Sequence, residues 1–386
     1  MNKPVIVGWG HTPFGRRQEG LAELIQSAAA EAIAHAQIEA SAIDGIWLGH
    51  FGGGLVPDGF TSSLVLGTSP ELRFKPATRC ENACASGSAA IYAAIDAIRA
   101  GRVRIALVVG AEKMSHLDTA GVTRALGSAS CQVEEADITF PGIFAEIAKA
   151  YRARYGDPTE AMAHIAVKNH ENAMRNPHAH MRKLLALDFC MEVSERNPIV
   201  AEPLKVSDCS LITDGAAALI ITREDMLSDF SRGVAFKAAQ QVNDYLPMSR
   251  RDALAFEGPQ RALAEALRSA GLTVDDLDFA EVHDCFTIAE LMIVEAIGLA
   301  EPGRGRFACI DGVTRRDGRL PFNLSGGLKA KGHPVGATGV SMHVMAARQL
   351  TGSAEEMQLD APSLGLCFNM GGSAVANYAT VLEPVK

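Results

Sequence analysis

Short apolar runs alternate with alanine-rich segments of helical period through the first third of the chain. Val5–Gly8 reads as a strand, Ala22–Ala36 as a helix and Gly45–Leu48 as a second strand, followed by a glycine loop at Gly52–Gly54. Ala89–Arg99 carries Ile91, Ala94, Ile95 and Ile98 on one helical face, and Gly101 ends it. Ile105–Gly110 is apolar throughout, as in a strand buried on both faces. Alternation of this kind predicts an α/β layered architecture. From Thr119 to Pro203 the pattern changes. Pro, His and Asn become frequent, strand signals vanish, and only Ala161–Arg175 and Arg182–Leu187 read as helices. This stretch is expected to be an insertion lying over the core, where substrate contacts commonly reside. Asp214–Thr222 returns to the core as a strand, and Thr287–Ile297 and Val340–Leu350 read as helices.

The end of the chain repeats its beginning. With a shift of 234, Ala30-Glu31-Ala32 meets Ala264-Glu265-Ala266, Ala36 meets Ala270, Ile43 meets Leu277 and Asp44 meets Asp278. With a shift of 252, Ala85-Ser86-Gly87 meets Ala337-Thr338-Gly339, and Leu107–Gly110 then falls opposite Leu364–Cys367. Two units recurring in the same order indicate a duplicated half. The expected organisation is residues 1–118 with 204–229 as the first half, 119–203 as the inserted loop domain, and 230–386 as the second half.

Composition narrows the options. With 386 residues, 48% hydrophobic and 21% charged, the chain can bury a large core and exceeds one typical domain. No apolar run approaches a membrane span, and Met1–Val7 reads as a strand rather than a signal peptide. A net charge of −9 argues against nucleic acid. The eight cysteines show no pairing rhythm, which favours reduced thiols and a cytoplasmic setting. No Cys-x-x-Cys pair anchors a metal; His164 and His170 have no cysteine partners, and His178 and His180 read as solvated loop residues.

Three stretches carry candidate chemistry. In Arg79-Cys80-Glu81-Asn82-Ala83-Cys84-Ala85-Ser86-Gly87, an extended run gives way to a helix at Cys84. Free N–H groups and the helix dipole there would favour thiolate, the form that attacks carbonyls. The bland alternative is a buried apolar thiol. Glu281-Val282-His283-Asp284-Cys285-Phe286 lies between a strand and a helix. The third stretch, Ser325–Gly336, sets His333 among glycines; Pro334 biases its backbone towards extended angles, and no Gly-Lys-Ser/Thr marks a phosphate loop. Taken singly, His333 could merely tie down the loop and Cys285 could be a core thiol.

Four motifs in order make the chain resemble a thiolase of the sterol-carrier-protein-type and archaeal acetoacetyl-CoA branch. They are Asn82-Ala83-Cys84-Ala85-Ser86-Gly87, His283-Asp284-Cys285-Phe286, Gly332-His333-Pro334-Val335-Gly336-Ala337-Thr338-Gly339 and Asn369-Met370-Gly371-Gly372. The resemblance implies the thiolase fold: two pseudo-symmetric βαβαβαββ halves in a five-layer αβαβα arrangement, with a loop domain inserted in the first. It implies that Cys84 accepts the acyl group and that His333 activates it and later donates to a substrate oxyanion. His283 would stand in the first oxyanion hole, where most thiolases have asparagine. The backbone N–H groups of Cys84 and Gly371 would form the second, and Cys285 would be the second acid/base. Common thiolases carry that second cysteine in a Cys-x-Gly motif where this chain has Asn369, so Cys367, two residues earlier, is the reserve candidate. Cys80 is expected to be structural, with a protective disulfide to Cys84 as the alternative.

The implied reaction is Claisen condensation of acyl-CoA with acetyl-CoA, or thiolysis of a 3-ketoacyl-CoA. Coenzyme A and acyl-CoA enter as substrates, and no permanent cofactor or metal is expected. A homodimer or homotetramer is implied, with a small, often zinc-bearing OB-fold protein as a further partner in some of the branch. The alternatives are a thiolase-fold synthase or C–C lyase on another substrate, or a partner-dependent subunit. The residues that grip CoA are not assigned by sequence; Arg250 and Arg251 lie in a plausible loop.

Overall fold

The structure, a computed structural model, describes residues 2–386. Its elements in chain order begin with β1 (Pro4–His11), α1 (Leu21–Ala36), β2 (Gly45–Gly49), β3 (Ala77–Cys80), α2 (Ser86–Arg99) and β4 (Ile105–Glu112). The insertion holds α3 (Thr119–Gly127), α4 (Phe140–Tyr155), α5 (Thr159–Ala173), α6 (Leu187–Met191) and the hairpin β5 (Ile199–Ala201) and β6 (Leu204–Lys205). Then follow β7 (Gly215–Arg223), β8 (Val234–Asn243), α7 (Glu257–Ala270), β9 (Phe279–Val282), α8 (Thr287–Ala296), α9 (Gly305–Ile310), α10 (Thr338–Leu350), β10 (Gly365–Gly371) and β11 (Ala376–Pro384).

The strands form two rows of the same design. In the first, β1 pairs antiparallel with β7, β7 antiparallel with β4, and β4, β2 and β3 run parallel. In the second, β8 pairs antiparallel with β11, β11 antiparallel with β10, and β10 parallel with β9, with a further parallel bridge from Ala280 to Phe322. The rows join edge to edge where Val5 and Ile6 pair with Ala235 and Val234, making one nine-stranded sheet. A 3-10 segment, Thr61–Thr68, stands in the first half where the second half has α8.

Burial divides the molecule into layers. Leu24, Ile25, Ala28 and Ala32 of α1 pack on one face of the first row with Val5, Leu107 and Ile220. Ala262, Leu263 and Ala266 of α7 and Leu291 of α8 cover the outer face of the second row with Ala280, Leu366 and Val381. Between the rows lie α2 and α10, whose Ile91, Ile95, Val340 and Val344 share one cluster with strand residues from both rows. Every residue of α10 is buried, as befits a helix enclosed on all sides. The arrangement is the five-layered αβαβα stack.

Close approach of α2 and α10 depends on two glycines. A Cβ on Gly87 would meet the Gly336 carbonyl at 2.8 Å, and one on Gly339 would meet the Ser88 nitrogen at 2.4 Å. These are the residues that the internal repeat aligns, so the equivalent helix starts of the two halves meet.

The insertion departs from expectation in three places. Arg182–Leu187 is not a helix: residues 182–186 are irregular, and the helix there is Leu187–Met191. The reason lies just upstream, where His180 and Met181 donate their backbone N–H groups to Lys331 and Ala330. This holds the chain extended against the His333 loop. Helices α3 and α4, not singled out in the sequence, start at Asp118 and Thr139 side chains that accept from Gly121 and Gly142. The β5–β6 hairpin brings strand structure into a region read as free of it.

Candidate active site

Cys84 lies on a 3-10 turn, Ala83–Ala85, that leads from β3 into α2. His283 and Cys285 lie between β9 and α8, and His333 follows a single π turn at Gly327–Lys331. The sulfur of Cys84 and one ring nitrogen each of His283 and His333 lie within 4.8 Å of one another, all buried. The imidazoles meet edge to face, with centroids 5.2 Å apart. Cys84, Cys285 and His333 line one cavity of 480 Å³. Three residues from both halves and a second cysteine therefore share one space.

The hydrogen bonds fix what each imidazole can do. Asn369 on β10 donates from Nδ2 to the Cys84 carbonyl at 3.2 Å and to Nδ1 of His283 at 2.9 Å. Its Oδ1 accepts from Ser88 Oγ at 2.8 Å. A carbonyl oxygen only accepts, so this amide cannot be reversed without setting two oxygens against each other. Nδ1 of His283 therefore accepts, and its proton lies on Nε2, which is buried and has no partner. His283 thus offers a donor to the shared space.

His333 has the opposite tautomer. Its Nδ1 lies 2.7 Å from Thr338 Oγ1, whose hydroxyl donates to the Pro334 carbonyl at 3.1 Å. The hydroxyl oxygen is then free only to accept, which puts the His333 proton on Nδ1 and leaves Nε2, buried without a partner, as a base. Burial, aided by the Lys331 charge, holds the His333 pKa down at about 3, and burial next to His333 holds His283 well below the usual range. Both rings are neutral at pH 7.

Cys84 corrects the sequence reading. Burial pushes its thiol up to about 12, while N–H groups of Gly372 and of Cys84 itself pull the other way. The donors at the helix start are present, but desolvation outweighs them, and the resting sulfur is a thiol. From the glycine pair, the N–H directed at the sulfur belongs to Gly372; Gly371 beside it packs so tightly that a Cβ would meet the Asn82 carbonyl at 2.1 Å. Cys285 is also raised well above the ordinary range by burial, with Cys84 adding to the shift.

Behind these side chains the insertion braces the site. Asp284 accepts from the backbone of Leu328 and Lys329 at 2.6 and 3.1 Å, and from Asn169 of α5 at 2.7 Å. Glu290 pairs with Lys168 and accepts from Asn169 and Asn323 at 2.9 and 3.0 Å. Burial and the neighbouring Glu290 push the Asp284 carboxyl up. These bonds hold the Cys285 and His333 segments against α5.

Other expected residues lie elsewhere. Cys367 is buried in the middle layer and does not line the cavity. All eight cysteines are free, Cys80 and Cys84 included. Arg250 lies over the Tyr245 ring at 3.7 Å, and Arg251 donates to Ser373 at 2.6 and 2.8 Å, so neither faces the cavity. His178 and His180 are half-buried rather than solvated: His178 packs on His11, and His180 bonds Thr213 and lines the cavity. Asn369 is the residue bonded to both Cys84 and His283 to which sequence reasoning gave no role. Its signal was its place in the Asn369-Met370-Gly371-Gly372 motif.

The two halves match known domains. Residues 4–225 match the thiolase N-terminal domain and residues 239–384 the thiolase C-terminal domain-like family. The chain is 36% identical to acetyl-CoA acetyltransferase of Methanothermobacter thermautotrophicus, over 97% of each chain. Among solved structures it is similar to the Ltp2-ChsH2(DUF35) aldolase, with a TM-score of 0.84 at 21% identity over 99% and 97% of the two chains. It is also similar to human mitochondrial 3-ketoacyl-CoA thiolase in complex with CoA, with a TM-score of 0.77 at 17% identity over 100% and 98%.

Proposed function

The chain belongs to the thiolase family, and from that membership we propose how its own residues carry out acyl transfer between thioesters. The protein is a thiolase-type acyltransferase. The observation that supports the assignment of roles is the opposite tautomers of His333 and His283 beside Cys84. One ring takes a proton and the other gives a hydrogen bond.

In thiolysis, His333 Nε2 takes the Cys84 proton as the sulfur attacks the 3-keto carbon. A raised thiol pKa means that this transfer accompanies attack rather than precedes it. The N–H groups of Cys84 and the Gly371-Gly372 turn stabilise the resulting oxyanion. The C2–C3 bond then breaks, and its electron pair stays with the acetyl-CoA enolate, whose oxygen receives hydrogen bonds from His283 and protonated His333. One such donor is worth about 10²–10³ in rate. Cys285 protonates C2, and acetyl-CoA leaves. Incoming CoA gives its thiol proton to Cys285, attacks the Cys84 thioester, and releases Cys84, which recovers its proton from His333. Condensation is the reverse.

Presence of Cys84 on this site favours acyl transfer over a lyase that needs no covalent carrier. CoA is a substrate here, and the donors named above serve these steps without a metal. We place the protein in the cytoplasm on the strength of its eight free cysteines. No helix among the described residues is long and apolar enough to cross a membrane. A homodimer or homotetramer is supported by the free edge of β3 and by Phe60 and Phe74 on the preceding segments, 92% and 86% exposed. The aldolase neighbour contains a DUF35 protein, and a small OB-fold partner is the corresponding reading for this chain. The deciding experiment is thiolysis of acetoacetyl-CoA with Cys84→Ala as control; turnover retained in the variant would end this reading.

A further inference from the structure

Glu112, the last residue of β4, is a fully buried acid that takes no part in the steps above. Its surroundings are donors. Oε2 accepts from the backbone N–H groups of Phe51 and Gly336, each at 3.0 Å, and Oε1 accepts from that of Gly52 at 3.2 Å. Nδ1 of buried His50 stands 3.0 Å from Oε1 and 3.1 Å from the Ala111 carbonyl. A carbonyl only accepts, so this nitrogen carries a proton and is a fourth donor beside the acid. Only a carboxylate suits such a set, because an amide would turn its own hydrogens on one pair of donors. The bonds also join the two reacting side chains. Arg79 on β3, five residues before Cys84, donates to the His50 carbonyl at 2.8 Å and to the Phe51 carbonyl. The same loop gives its N–H groups at Phe51 and Gly52 to Glu112, which also takes that of Gly336, three residues after His333. Gly336 has no room to slide: a Cβ there would meet the Ala111 carbonyl at 2.5 Å and Glu112 Oε2 at 2.8 Å. Phe51 and Val335, next to the points of attachment, pack in one cluster with Cys84 and line its cavity.

We propose that Glu112 is a positioning residue for acyl transfer: by gripping Phe51, Gly52 and Gly336 together it sets the reach from Nε2 of His333 to the Cys84 sulfur. The proposal rests on the acyl-transfer reading above and adds to it a residue that touches no substrate. Nucleophile and base come from different halves of the chain, so no local geometry fixes their separation. A misplacement of about 1 Å can cost about 10²-fold in rate. Glu112 also acts on Cys84 through its charge. After the larger effect of burial, that charge helps to hold the Cys84 thiol up. Removing the charge would therefore ease ionisation of the sulfur, while removing the grip would slow attack. The two effects have opposite signs and are separable.

The test is single-turnover acylation of Cys84 by acetoacetyl-CoA in the full chain, followed by intact mass. Rates are expressed per Cys84 that becomes acylated at long times, so unfolded molecules do not count. In Glu112→Gln the maximal rate should fall at least about tenfold, with the half-saturating concentration within about twofold of the original. Arg79→Lys grips the loop carbonyls from a single point and should show the same split to a smaller degree. It decides the matter if Glu112→Gln does not fold, and an unchanged maximal rate in it would then overturn the proposal. A folded Glu112→Gln with an unchanged rate would overturn it directly. So would a faster rate, which loss of charge alone predicts, or a change confined to the half-saturating concentration, which would place the carboxylate in substrate binding. Absence of an adduct in the unaltered protein would overturn the acyl-transfer reading and this proposal with it.

Discussion

Asn369 donates a hydrogen bond to Nδ1 of His283 at 2.9 Å and, with its other hydrogen, holds the Cys84 carbonyl at 3.2 Å. A single amide from the second half thereby sets the tautomer of one catalytic candidate and the position of another. Asn369→Asp tests this. A carboxylate can only accept, so the His283 proton would move to Nδ1 and its donor at Nε2 would be lost. Turnover should fall about 10²–10³-fold, and the nitrogen-15 shifts of His283 should exchange roles. Full activity with an unchanged tautomer would show that the amide is a bystander.

Alkylation of Cys84 should be slow at neutral pH. Its pKa of about 12 leaves the sulfur protonated there, so the thiolate fraction grows tenfold per pH unit over the working range. Iodoacetamide modification followed by mass spectrometry should therefore accelerate from pH 7 to pH 9 without levelling. A plateau near pH 7 would mean that the His333–Cys84 pair is already ionised.

Cys285→Ala should separate the two halves of the reaction. Acylation of Cys84 by acyl-CoA would survive, while exchange of the acetyl-CoA methyl protons with deuterated water should drop at least about 10²-fold, the usual worth of a positioned acid–base group. Cys367→Ala should leave exchange intact, because that thiol is buried away from the cavity. The opposite pair of results would transfer the role to Cys367.

Gly339→Ala should destabilise the protein although alanine favours helix. Its Cβ would meet Ser88 nitrogen at 2.4 Å and Asn369 Oδ1 at 2.6 Å. The gain in helix propensity is about 1 kcal/mol, and overpacking of this kind costs about 1–3 kcal/mol. A lower Tm with reduced turnover is expected, since the displaced Asn369 orients His283. An unchanged Tm would show that α2 and α10 can separate freely.

Acid should weaken the fold well above the carboxylate range. Burial holds His333 near pH 3, and His35, His170, His178 and His343 near pH 4, all below the ordinary 6.5. Between those values the unfolded chain binds protons that the folded one does not, so stability falls as pH drops from about 6.5 towards 4. The raised carboxyls of Asp284 and Glu295 act in the other direction, while the lowered His11, His180 and His283 add to the effect of the five. Thermal melts across this range should show a steady loss of Tm; a flat profile would contradict the burial of these rings.

What was legible in the chain follows from physical range. Local periodicity marked α1, α5 and α10, and the repeat matched α1 to α7 and the start of α2 to that of α10, because these depend on neighbouring residues. Cys84, His283, Cys285 and His333 stood in motifs and do converge on one space. The pKa of Cys84 was not legible, because it depends on burial by residues distant in sequence, such as Met114 and Val335. Nor was the extended path at His180–Met181, which is held by Lys331 and Ala330 about 150 residues later. Helix α4 was hidden by Pro141 and Gly142 in its first turn, positions where a helix tolerates them but periodicity reads a break.

Nucleophile and base come from opposite copies of the repeat and meet only where α2 abuts α10. A ribosome releases Cys84 long before His333 has been made. Until the later copy docks, the sulfur has neither a proton acceptor nor an oriented donor beside it, so acyl transfer by this route waits for both halves. Competence therefore belongs to the joined pair of copies and to neither alone.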